Sequence, residues 1–60
     1  MTKFSIDQQV KAIVGKGLLI FHLGKIGTII GFDTNSHYQN IVKFSNGVIV
    51  HYADNEIEPV

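Results

Sequence analysis

The sequence predicts an all-β fold, a small barrel of about five short strands. Three observations predict it. Isoleucine, valine and phenylalanine recur in short runs with a period of two. The runs are separated by turn-forming clusters, GKG, LGKIG, DTNS and SNG. No stretch holds the three-to-four spacing of an amphipathic helix for three turns. The chain has 60 residues, of which 45% are hydrophobic. That length makes residues 1–60 one domain near the lower limit for unaided folding, since only roughly 60% of the unfolded surface can be buried. Domains this small are commonly reinforced by disulfides, metals or association. With no cysteine in the chain, disulfides and thiolate zinc sites are excluded, which leaves association.

The first strand is VKAIV, residues 10–14. The second is GTIIGF, 27–32, opened by a glycine, with Gly31 marking a bend or bulge. DTNSHYQN, 33–40, is polar and turn-rich, a loop that overlaps the start of the third strand, YQNIVKF, 38–44. Alternation puts Tyr38, Asn40, Val42 and Phe44 on one face of that strand. Asn46-Gly47 then signals a two-residue hairpin turn with positive φ at both positions. The fourth strand, VIVHY, sets Val48, Val50 and Tyr52 against Ile49 and His51. ADNE favours a short 3₁₀ turn, and IEPV closes with a last strand that Pro59 confines to a sheet edge. Closing so small a sheet into a barrel removes most of its unpaired edges. An SH3-like barrel is the economical architecture.

The residues that carry this reading also resemble a recurring pattern of small bacterial SH3-like modules over about residues 6–60: the first-strand VK, then GKIGTIIG, IVKFSNG and the closing EIEPV. Leu23 to Ile30 is similar to KOW-type domains, which implies contact with RNA and proteins. GTIIGFD, IVKF and YADNEIEPV resemble the small peripheral subunit of photosystem I and related electron-transport accessory proteins, which implies a partner-docking barrel without chemistry of its own. Gly27–Gly31 and Tyr52–Glu58 are similar to type II dihydrofolate reductase, a tetramer of such barrels. Its Gln-Ile-Tyr run aligns with Val50-His51-Tyr52, where the tyrosine alone matches.

Charge and site chemistry narrow these readings. Five lysines balance five acids, with no arginine. Nucleic-acid binding normally draws on a basic excess, so it ranks second here. The lysines are uneven: residues 1–30 carry Lys3, Lys11, Lys16 and Lys25 against Asp7, and residues 31–60 carry Lys43 against Asp33, Asp54, Glu56 and Glu58. Interleaved strands would mix these charges over the surface, whereas segregated ones would favour head-to-tail contact. His22, His37 and His51 are too widely spaced in sequence for a local metal-ligand set, so no metal or cofactor is expected. Ser5, Ser36 and Ser45 have no base placed around them, and the acids of the C-terminal turn do not face one another across a cleft. The glycines and lysines of residues 15–27 lack phosphate-loop spacing. A non-catalytic protein is therefore expected. The chain has neither a signal-peptide core nor an apolar run of ~20 residues, and the expectation is a cytoplasmic protein outside the membrane.

One stretch breaks the alternation. GLLIFHLG, 17–24, sets Leu18, Leu19, Ile20, Phe21 and Leu23 in what should be a polar first loop. Leu19, Phe21 and Leu23 are expected to fold back over the open barrel end, with Leu18, Ile20 and His22 pointing outward. The loop is then either an internal lid or an apolar interface, with a protein partner or a second copy of the chain. The expected partner-binding residues are Leu18 and Ile20 at the centre, with Lys16, His22 and Lys25 at the rim. Tyr38 and Tyr52 are expected to flank a groove beside the 33–40 loop.

Overall fold

A computed structural model describes residues 2–14 and 22–60. Among them lie five strands: β1 (Gln9–Ala12), β2 (Ile26–Phe32), β3 (Asn40–Phe44), β4 (Ile49–Tyr52) and β5 (Ile57–Pro59), with a 3₁₀ turn, Asp54–Glu56, before the last. All pair antiparallel in one sheet of order β4-β3-β2-β1-β5. Pro59 therefore lies on an edge strand, where its missing N–H costs no ladder bond.

The two edges of the sheet are consecutive in sequence. Four inter-strand steps would separate them by ~19 Å if the sheet were flat. Yet only Ala53 and the 3₁₀ turn join β4 to β5, and such a turn advances only ~2 Å per residue. The sheet must curl until its edges approach. No ladder joins β4 to β5 among the described residues. Inside the curl lie Phe4, Val10, Ala12, Ile29, Val42, Phe44, Val50, Tyr52 and Ile57, with Phe32 and Val48 partly buried against them. Alternation sends Val10 and Ala12, Val42 and Phe44, and Val50 and Tyr52 inward from their strands.

The strand ends differ from the sequence expectation for local reasons. β1 stops at Ala12 because the Ile13 N–H turns to the Glu56 carbonyl (3.0 Å). β3 starts at Asn40, since the 33–39 loop is closed by the Asp33 N–H on the Gln39 carbonyl (2.8 Å) and the Tyr38 N–H is taken by Ser36 Oγ (3.1 Å). Tyr38 thus leaves the inward face that Asn40, Val42 and Phe44 share, and is exposed. The bulge sits where Gly31 suggests, as a register shift between Ile29 and Gly31 against β3.

The β3–β4 turn is a different type from the one expected. Only Gly47 has positive φ (86°). The Gly47 N–H bonds the Phe44 carbonyl and the Phe44 N–H bonds the Val48 carbonyl, both at 2.9 Å. This is a type I turn followed by a left-handed glycine, the arrangement of a G1 bulge. The Val48 N–H is held by Asn46 Oδ1 (3.1 Å), so β4 begins one residue late. The basic and acidic halves interleave: β1 pairs with β5, and Lys11 faces Glu58 at 3.7 Å. That exposed pair contributes little stability, since solvent screens both charges.

Candidate functional site

Lys16, Leu18 and Ile20, together with Leu19 and Phe21, lie outside the described residues. His22 and Leu23, which are described, reverse the expected facing. His22 is 2% exposed, and Leu23 is 49% exposed. The cause is a tight turn, closed by the Lys25 N–H on the His22 carbonyl (2.9 Å). Such a turn ends the period of two on which the facing was argued. The imidazole of His22 lies on Phe44, ring centres 4.5 Å apart and tilted by 34°. His22 is therefore not an outward rim residue. Lys25 remains exposed, as expected.

The tyrosine groove does not form. Tyr38 is 44% exposed and meets His37 edge-on at 5.3 Å. Tyr52 instead lies in the core, 1% exposed, with its ring edge-on to Phe44 at 6.2 Å. Burial pushes the Tyr52 phenol above its ordinary value of 10.0, and the Glu56 carboxylate raises it further.

His22 and Lys25 do come together, at an open pocket of about 250 Å³ that they share with Ile26, Phe44, Ser45 and Asn46. Two turns build it: 22–25 leads into β2, and 44–48 leaves β3. His22 and Phe44 are buried at its floor, while Lys25, Ile26, Ser45 and Asn46 are exposed at its rim. Asn46 Oδ1 is engaged by the Val48 N–H, which fixes the amide so that its Nδ2 faces His22 Nε2 at 3.5 Å. Sequence reasoning reads Ser45 and Asn46 only as turn formers. Nothing local marks them as neighbours of His22, 24 positions away from Asn46.

At the opposite end of β3, the fully buried Asn40 donates through Nδ2 to the Tyr52 carbonyl (3.1 Å) and to Asp54 Oδ1 (2.7 Å). Gln39 Nε2 reaches the same carboxylate at 3.4 Å. Glu56 closes the 3₁₀ turn by accepting from the Ala53 N–H (2.8 Å). Asp54 thus ties Gln39 of the 33–39 loop and the start of β3 to the 53–56 connection, which Glu56 braces from within. No three His, Cys, Asp or Glu side chains converge to hold a metal ion among the described residues, and no described helix is long and apolar enough to cross a membrane.

The fold and site define a class: a small all-β domain whose described surface offers turns, an aromatic-floored pocket and exposed aliphatics. The chain matches no family model, no curated protein and no solved structure.

Proposed function

We propose that the protein is a non-catalytic interaction module, an SH3-like barrel that docks a protein partner, or a second copy of itself, through its apolar first loop. One observation carries this reading. Leu23, which a lid would turn inward, is 49% exposed, and Ile13 and Val14 on the other flank of the loop are 42% and 40% exposed. A loop whose flanking aliphatics stay in solvent is poorly suited to sealing its own core and well suited to burying them against another surface. Leu18 and Ile20 supply the centre of that contact, and Lys16 and Lys25 its rim.

The test pairs molecular mass in solution and partner capture with unfolding. Changing Leu18→Ser together with Ile20→Ser should abolish self-association or capture and leave the unfolding midpoint within about 0.5 kcal/mol of the parent. Loss of stability without any loss of association would make the loop a lid. Salt separates the nucleic-acid alternative: apolar docking should change little between low and high salt, whereas phosphate contacts should weaken steeply.

A further inference from the structure

The pocket between the 22–25 and 44–48 turns has a consistent chemistry. Its floor is aromatic, made by the His22 and Phe44 rings tilted by 34° to one another. The polar groups at its rim are donors: the Lys25 ammonium, the Ser45 hydroxyl and the Asn46 amide nitrogen, which the Val48 N–H holds in place by occupying Oδ1. No carboxylate lines it, and Lys25 makes no ion pair among the described residues. Ile26, 49% exposed, forms an apolar lip. A cation at the mouth, oriented neutral donors beside it and an aromatic floor fit an anionic group attached to an apolar body. At about 250 Å³ the pocket has room for one or two side chains and no more.

We propose that this pocket recognises a carboxylate side chain beside an apolar residue on a partner polypeptide. The inference rests on the interaction-module reading and adds the chemistry of what is recognised. Four of this chain's five acids already hold contacts within the fold, so a second copy could supply the carboxylate only from Asp7, beside the exposed Ile6. Asp33 accepts from the Asn35 N–H, Asp54 from Asn40 and Gln39, and Glu56 from the Ala53 N–H, while Glu58 pairs with Lys11. Asp54 and Glu56 would give up those contacts on binding elsewhere, whereas the exposed Glu58–Lys11 pair would lose little.

The probes are three blocked dipeptides, N-acetyl-Phe-Glu-amide, its Gln counterpart and its Lys counterpart, titrated into the full chain and followed by backbone amide resonances. The Glu peptide should shift the amides of His22, Lys25, Ser45 and Asn46 and bind about five- to tenfold tighter than the Gln peptide, the Lys peptide being weakest. Lys25→Gln should erase the Glu-over-Gln preference without moving the unfolding midpoint, since Lys25 is exposed. Equal binding of the three peptides, shifts confined to other parts of the chain, or a preference that survives Lys25→Gln would each overturn the proposal. So would phenylacetate binding as tightly as the Glu peptide, because a polypeptide would then not be needed. If the peptides miss the pocket while Leu18→Ser with Ile20→Ser still abolishes capture, the pocket proposal fails and the module reading stands. If the Glu peptide binds as expected while the double change does nothing, the first-loop reading fails and the pocket stands.

Discussion

Gly27 is buried where β2 crosses β3, and it is there because nothing larger fits. A Cβ at this position would lie 2.5 Å from Val42 Cγ1, 3.1 Å from the Lys43 carbonyl oxygen and 3.2 Å from Phe44 Cδ1. Val42 is fully buried and the carbonyl belongs to the ladder, so neither can retreat cheaply. Gly27→Ala should therefore destabilise by about 1–3 kcal/mol, despite the gain that alanine normally brings to a strand. Urea unfolding checks this, and an unchanged midpoint would mean that β2 and β3 lie further apart than these distances require. Tyr52 gives a pH dependence. Its phenol is raised above 10.0 in the folded chain by burial and by Glu56. The unfolded chain loses that proton first, so the stability associated with the neutral phenol is fully present below pH 10.0 and is lost as pH rises from there through the folded value. Thermal midpoints measured from about pH 8 to about pH 11.5 should fall steeply above 10.0 in the parent, and less steeply in Tyr52→Phe, which has no proton to lose.

The turns that set the strand ends are where element-scale consequences concentrate. Gly47 holds φ of 86°, and a Cβ added there would meet nothing within 4 Å, so backbone conformation alone, without crowding, selects glycine. Gly47→Val should cost at least ~1 kcal/mol, and Gly47→Asn markedly less, because asparagine tolerates the left-handed region that β-branched residues avoid. Equal midpoints for the two variants would refute the turn type. The strand interiors are legible in the sequence because a period of two is enforced at every residue of a sheet with one buried face. Val42 and Phe44, Val50 and Tyr52 all face as alternation requires, and Gly31 marks the bulge. What fails is the extension of that period into turns. Alternation misplaces His22 and Leu23 because the chain has already begun to coil there. It misplaces Tyr38 in β3 because a serine hydroxyl takes that residue's N–H. The pocket is illegible for a further reason: its two turns meet because the β2–β3 register sets Gly27 opposite Phe44, and nothing in either turn's own residues encodes that register.

At the scale of the molecule, a chain of 60 residues has little stability to spare, about 3–9 kcal/mol at the usual contribution per residue. Among the described residues the core has nine members, and one of them, Phe4, comes from outside the sheet. It is held by a short turn in which the Gln8 N–H bonds the Ser5 carbonyl (3.1 Å) and the Ser5 N–H bonds Gln8 Oε1 (3.0 Å). Asp7 takes a left-handed φ of 69° to make that turn, and its N–H reaches the Ile29 carbonyl at 2.8 Å, fastening the segment to β2. A lone phenylalanine in MTKFSIDQQV has no periodicity to mark it as core, whereas its position 3% exposed against the sheet shows that it closes the interior. Phe4→Ala should cost about 3–5 kcal/mol, which is comparable with the whole stability of so small a domain. The variant should therefore be substantially unfolded at room temperature by far-ultraviolet circular dichroism and amide dispersion. Phe32→Ala provides the comparison, because Phe32 is only partly buried and the strand that carries it is anchored on both sides by β1 and β3. It should remain folded with a lowered midpoint. If Phe4→Ala unfolds no more readily than Phe32→Ala, the N-terminal segment is an appendage and the core is complete without it.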